Sequence, residues 1–280
     1  MEITLTGADF SGTGLGNTRW IEAFITKAAI TDATKLAALR NLYTQYNAYG
    51  FKGKFEVFKL MVGGSATVDA LNTIDLESSY VTTYFNDVAA NHTTSGWVTS
   101  KGNLATNGTG TYGVGSYKIK SLSKFHFHSD LVYRDQTVST NGLSNTGLEN
   151  SGGSLGFDYR GDNVTTKIRF DVGIVGDAGK VVTVETGEFG SKLTSSSING
   201  AIIKGYYGGG LKYNRTGTGV FPTLTGNDVF YENALSSGNL TTRTAGSKFL
   251  LFAHGNTDWT DTDEANLYTM MTAYKTAVGI

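Results

Sequence analysis

The chain reads as a mainly β protein: one antiparallel β-sandwich with two N-terminal helices ahead of it and one C-terminal helix behind. Three observations predict this. From residue 51 to residue 255 the apolar residues fall in short stretches of period two, broken by Gly, Asn and Asp clusters. Glycine is abundant and proline nearly absent, 37 residues against the single Pro222, so tight turns rely on positive φ rather than preset φ. Only 17% of residues are charged, and Thr, Ser, Asn and Gly supply the polar surface. That surface suits strands and turns better than long exposed helices.

Residues 1–16 are expected to form an extended arm. Ile3 and Leu5 alternate with Glu2, Thr4 and Thr6, and then Gly12, Gly14 and Gly16 loosen the chain. Ile3, Leu5 and Phe10 are too few to bury a face of their own, so the arm is read as an assembly element that pairs with the body or with a neighbour. Residues 17–50 are a helical lead-in. Trp20, Ile21, Phe24, Ile25 and Ala28 give the first helix an apolar stripe. Thr31 or Asp32 caps the second, whose Leu36, Leu39, Leu42, Tyr43 and Tyr46 recur at helical spacing until Gly50.

Residues 51–280 are the sandwich with its closing helix. Phe55, Val57 and Lys59 fall on one face of a strand, and Glu56, Phe58 and Leu60 on the other. Further strands are expected over 96–101, 112–119, 125–134, 154–160, 165–175, 180–186, 201–204, 228–232 and 248–253, a spacing of the sandwich or jelly-roll kind. Asp261 and Glu264 open the last helix, Leu267, Met271, Tyr274 and Val278 line one face, and Gly279 ends it. A helix this short must pack, against Leu39 and Tyr43 of the second helix or against an open sheet face.

Composition excludes several functions. A formal net charge of -1 leaves no basic footprint for nucleic acid. The absence of cysteine removes disulfides, thiolate catalysis and Cys-type zinc sites together. No run approaches the ~20 apolar residues of a membrane span, and the first ten residues alternate without an apolar signal-peptide core, so a soluble protein without membrane insertion is expected. No cofactor motif stands out. Gly12, Gly14 and Gly16 lack both the dinucleotide pattern and a βαβ setting, and there is no G-x-S-x-G.

Four groups of residues remain as site candidates. His126 and His128 bracket Phe127, so both imidazoles leave one face of a strand; they are either metal ligands or ordinary polar positions beside Phe125 and Phe127. Asn256, Asp258, Asp261, Asp263 and Glu264 contain oxygen ligands for calcium without its loop spacing, and helix capping accounts for the last three. A glycosidase would need two carboxylates held together; Glu185 and Glu188 face opposite sides of a strand, and Asp158 and Asp171 each stand alone. Tyr206, Tyr207 and Tyr213 lie in the glycine-rich stretch G-Y-Y-G-G-G-L-K-Y. They are either aromatic ligand-stacking faces on a mobile turn or the two sides of a plain hairpin.

Some segments carry a resemblance. I-T-D-A-T-K-L-A-A-L-R-N-L at 30–42, F-E-V-F-K-L-M-V-G-G-S-A at 55–66, T-N-G-T-G-T-Y-G at 106–113 and T-D-E-A-N-L-Y-T-M-M-T-A-Y-K-T-A-V-G at 262–279 follow in order. Together they resemble a concanavalin-A-like or LamG-type jelly-roll domain of tailed-bacteriophage structural proteins, found in tail fibres, tail spikes and other virion appendages. Residues 135–245 do not match in detail. The resemblance implies a non-enzymatic virion component, an appendage or capsid decoration subunit used in host-surface glycan attachment or particle assembly. Its partners would be other virion proteins and further copies of the chain, a trimer by analogy. The alternative within the same resemblance is a polysaccharide depolymerase of a tail spike.

Overall fold

Two amphipathic helices open the described chain. In the computed structural model, residues 19–100, 102–103, 110–118, 124–134, 143–144, 146–149, 157–161, 168–172, 192–200, 202–216, 229–232, 243–244 and 247–280 are described. Ile3, Leu5 and Phe10 of the expected arm, and the expected strand 180–186 with Glu185, lie outside them. Helix α1 (Arg19–Lys27) buries Ile21, Phe24 and Ile25. Asp32 is the N-cap of α2 (Ala33–Ala48) and accepts from Lys35 N at 2.9 Å. Helix α2 buries Ala38, Leu39, Leu42, Tyr43 and Tyr46, and Gly50 follows it at φ 71°. The bidentate contact of Arg40 with Glu22 crosses between the two helices.

The strands follow in chain order. They are β1 (Val57–Leu60), then, after the short helix α3 (Ala66–Asp69), β2 (Thr82–Phe85), β3 (His92–Thr93) and β4 (Gly96–Val98). Next come β5 (Gly102–Asn103), β6 (Tyr112–Lys118), β7 (Lys124–Arg134), β8 (Leu143–Ser144) and β9 (Thr146–Glu149). They continue with β10 (Phe157–Gly161), β11 (Ile168–Val172), β12 (Thr194–Asn199), β13 (Ile202–Tyr207) and β14 (Gly210–Thr216). The last are β15 (Val229–Glu232), β16 (Arg243–Thr244) and β17 (Ser247–Gly255), before helix α4 (Asp261–Val278).

Among the described residues these strands form three mainly antiparallel sheets. The largest runs β14-β13-β12-β7-β17-β4-β3, with β1 also paired to β17. A second runs β2-β6-β15-β9, and a third runs β11-β10-β8-β16-β5. Only the short β16–β8 contact is parallel. The expected antiparallel architecture is therefore the observed one, arranged as an open sandwich.

The large sheet is covered on both faces. Leu39, Leu42 and Tyr46 of α2, Phe58 and Leu60 of β1, Leu251 and Ala253 of β17 and Leu267, Met271 and Tyr274 of α4 share one core. Across the sheet, Met61, Trp97, Leu131, Phe249 and Phe252 form a second core against Tyr84 of the β2 sheet. This explains why β1 is buried at all four positions and why Lys59 is 0% exposed. Its ammonium donates to Glu232 Oε1 at 2.6 Å and to Thr82 Oγ1 at 2.5 Å, stitching the large sheet to the second one. A buried charge survives only when paired in this way. No described helix is long and apolar enough to cross a membrane.

One central strand escaped the sequence reading. The segment T-S-S-S-I-N of β12 lacks the apolar alternation of a strand, yet it lies between β7 and β13 with Thr194 to Ile198 buried. Ser195 and Ser197 serve the interior as hydrogen-bond partners, to His128 and Glu264 and to Tyr206.

Candidate functional site

The segment 85–96 forms a rim built outward from a buried histidine. His92 opens β3 and is 4% exposed. Its Nδ1 lies 2.8 Å from Asp69 Oδ2, and its Nε2 2.5 Å from Asp87 Oδ2. Each carboxylate has a further donor: Gly63 N on Asp69 at 2.7 Å, and Asn91 Nδ2 on Asp87 at 2.5 Å. Burial alone would lower the imidazole, but the hydrogen bonds and charges of the two carboxylates outweigh it and raise it to about 9. For Asp69 burial wins and its carboxyl is raised, whereas the His92 and Asn91 bonds hold Asp87 below its ordinary value. The imidazole also stacks on Trp97, with centroids 6.0 Å apart and planes at 17°. This arrangement ties the rim at His92 to Trp97 of the second core.

Outward of that anchor the rim presents apolar surface. Phe85 is 40% exposed and stacks flat on Tyr112, with centroids at 4.8 Å and planes at 10°. Val88 is 62% exposed. Asn86 between them adopts φ 52°, a left-handed conformation that Asn tolerates better than most residues. It is held there by Asn86 Nδ2 donating to Gly110 O at 3.1 Å and Thr111 Oγ1 donating to Asn86 O at 3.1 Å. A parallel-stacked aromatic pair on a fixed backbone, with Phe85 exposed and Tyr112 half-buried, is a stacking platform. The sequence reading missed it, because Phe85 and Tyr112 are 27 positions apart and meet only through the β2–β6 pairing.

The tyrosines singled out from sequence are placed differently. Tyr206 is 0% exposed and Tyr207 is 7% exposed, both inside β13 rather than on a mobile turn. Tyr206 Oη donates to Asp261 Oδ1 at 3.0 Å, which ties the strand to the start of α4. The turn itself is packed: a Cβ on Gly209, at φ 76°, would lie 2.7 Å from Tyr268 Cβ of α4. The glycines thus serve close approach and positive φ, not mobility. Tyr213, in β14, is half-buried.

His126 and His128 do leave one strand face, and they point into the core. His126 Nδ1 is 2.8 Å from His128 Nε2, and His128 Nδ1 is 2.7 Å from Ser195 Oγ. Ser195 Oγ is 2.9 Å from Glu264 Oε1, and Trp259 Nε1 donates to Glu264 Oε2 at 3.0 Å. At the far end, His126 Nε2 meets Lys54 O at 3.1 Å. All four side chains of this chain are completely buried. Burial first, and for His126 also the neighbouring His128, keeps both imidazoles well below their ordinary value. Burial raises Glu264 to about 7 against the pull of Ser195 and Trp259. With Glu264 ionised, Ser195 Oγ donates to its Oε1; with Glu264 protonated, the wire can run in one direction, Glu264 to Ser195, Ser195 to His128, His128 to His126, and His126 to the carbonyl. No cluster of three metal-ligating side chains forms among the described residues.

The acidic stretch before α4 is likewise taken up by protein partners. Asp258 pairs with Lys124 at 2.8 Å and Asp261 with Lys204 at 2.7 Å. Asp263 closes a capping box with Thr260 and pairs with Lys54 at 2.5 Å. Asp158 and Asp171, each expected to stand alone, are backbone partners: the β10–β11 register sets them opposite each other.

No family model matches this sequence, and no curated protein matches it. Solved structures match at the level of fold. The sialidase of Trypanosoma rangeli, in complex with 2,3-difluorosialic acid as a covalent intermediate, aligns at TM-score 0.57 with 12% identity, over 85% of this chain and 39% of the sialidase. A mutant of HCR/D aligns at TM-score 0.52 with 12% identity, over 78% of this chain and 53% of that one. The chain thus spans about two fifths of the sialidase and half of HCR/D. At such identity the likeness shows the β-sandwich fold alone.

Proposed function

We propose that this chain is a non-enzymatic attachment module of a bacteriophage virion, which holds a surface glycan on the rim 85–96. The observation that carries the reading is the Phe85–Tyr112 stack, with Phe85 exposed, on the segment that His92 anchors through Asp69 and Asp87. Flat aromatic faces with polar neighbours bind the apolar faces of sugar rings. A sandwich like that of a sialidase holding a difluorosialic acid is compatible with glycan binding. The phage assignment rests on the resemblance of the segments at 30–42, 55–66, 106–113 and 262–279. Its partners under this reading are other virion proteins and further copies of the chain, a trimer, engaged through Ile3, Leu5 and Phe10 of the arm. Mass spectrometry of purified particles together with co-sedimentation of the chain with host polysaccharide tests it. Absence from particles sinks the virion assignment, and absence of co-sedimentation sinks the glycan one.

A second reading, a polysaccharide depolymerase, is favoured by one observation, the facing register of Asp158 and Asp171. Two carboxylates across a sugar are what glycoside hydrolysis requires. Release of oligosaccharide that is abolished by Asp158→Asn would establish it over the non-enzymatic reading.

A further inference from the structure

Two lysines from distant elements converge on one turn of the rim. Lys35, in the first turn of α2, donates through Nζ to Thr94 Oγ1 at 2.5 Å. Lys248, at the start of β17, donates through Nζ to the adjacent Ser95 Oγ at 2.9 Å. Both lysines and both hydroxyl residues are half-buried, so the corner is desolvated yet open on one side. Among the described residues neither ammonium meets a carboxylate; the acid nearest Lys35 in sequence, Asp32, is occupied as the α2 cap on Lys35 N. Burial, and after it the charge of Lys35, lowers the Lys248 ammonium below its ordinary value. Two cations held near each other without a counter-charge are an electrostatic cost that a bound anion removes.

The hydrogen bonding of the turn leaves donors in excess. Thr93 Oγ1 donates to Gly96 O at 2.8 Å and accepts from Ser95 N at 3.2 Å. Ser95 Oγ, having accepted from Lys248, can pass its own proton to Thr93 at 3.1 Å. Thr94 Oγ1 accepts from Lys35, and its own hydrogen is given to no acceptor among the described residues. Each ammonium carries three N–H bonds and spends one within the turn. The corner is also held in place. Gly96 takes φ 134°, and a Cβ there would lie 3.0 Å from Lys248 Cγ. A Cβ on Gly64 would lie 3.0 Å from Thr94 Cγ2. His92, two residues before Thr94, is the rim's anchor.

From this donor-rich, acceptor-poor corner we infer a binding site for an anionic group (a carboxylate, sulfate or phosphate) carried by an acidic glycan, with Lys35, Lys248 and Thr94 as its ligands. The inference rests on the glycan-attachment reading and names its substrate class. The backbone runs unbroken from the Phe85 stack to Thr94 and Ser95, so one short segment carries both an aromatic platform and an anion corner.

The test compares the intact chain with a Lys35→Met/Lys248→Met double variant, which keeps the aliphatic stems, and with Thr94→Val as a milder change should the double variant melt early. Three probes are titrated: a uronic-acid polysaccharide, a neutral glucan and sodium sulfate. The expected result is that uronic-acid binding weakens at least about tenfold in the double variant. It also weakens with rising salt, as half-exposed charges are screened over ~8 Å at physiological ionic strength. Uronic-acid binding that is equal in wild type and both variants overturns the inference while the glycan reading stands. Sulfate binding that needs both lysines, with no polysaccharide bound, supports the anion corner and overturns the glycan reading. No binding of any probe overturns both.

Discussion

His92 is a buried histidine held charged by two carboxylates, and removing it leaves Asp69 in the core without its cation. His92→Leu is therefore expected to cost about 3–5 kcal/mol in urea unfolding, the usual consequence of orphaning one partner of a buried pair. A loss under ~1 kcal/mol would mean that Asp69 is simply protonated in the native state. Glu264 makes the opposite prediction. Its carboxyl is raised from 4.5 to about 7, so its contribution is complete below pH 4.5 and is lost as pH rises through 7. Glu264→Gln keeps an acceptor for Trp259 and gives a donor to Ser195, and it should gain on the wild type by on the order of 3 kcal/mol between pH 5 and pH 8. Parallel stability curves for the two proteins would contradict the wire. None of this was legible in the sequence. The i, i+2 spacing gave the shared face of His126 and His128, but Ser195 and Glu264 are 67 and 136 positions from His128 and join it only through the fold.

At the scale of elements, periodic segments were legible and polar ones were not. The stripes of α1, α2 and α4 appear as buried faces, because a helix of this length is stable only when its apolar side is covered. Helix α4 packs on α2 and on the large sheet together, with Lys275 reaching Asp130 at 2.8 Å. Strand β12 was missed because its serines look like a loop until the neighbours that bond them are known. The Tyr-Gly stretch is open in sequence between a mobile turn and a plain hairpin, because glycine permits a packed turn as readily as a mobile one. Leu267, 0% exposed in the core, should lose about 2–5 kcal/mol on substitution by Ala, seen as a melting temperature lower by several degrees. Tyr207→Ala should now also lower it, since the ring is 7% exposed. A thermally silent Tyr207→Ala would restore the exposed reading of that residue.

For the whole molecule, the four histidines set most of the pH dependence, with Glu264 opposing the three neutral ones between pH 4.5 and 7. Burial keeps His126, His128 and His254 well below 6.5, so the stability tied to their neutral forms is present above pH 6.5 and lost as pH falls. His92 is raised to about 9, so its contribution is complete below pH 6.5 and lost as pH rises through 9. Stability should peak near pH 6.5 and fall more steeply on the acid side, where three groups act together. Urea midpoints measured from pH 4.5 to 9.5 check this, and a curve that climbs steadily to pH 9 would contradict it. The sandwich itself was legible because length, glycine usage and period-two segments all agree on it. The rim was not, since an aromatic pair and two lysines from α2, β2, β6 and β17 become one surface only after the sheets have formed. The proposed role of this rim is to hold a glycan without cutting it. The most direct measurement is calorimetric titration of host surface polysaccharide into the wild type and Phe85→Ala, with reducing ends assayed in the same samples. Saturable binding by the wild type, weakened about two- to tenfold in the variant and with no new reducing ends, is the predicted result. Equal binding by the two proteins, or release of oligosaccharide, would contradict the claim.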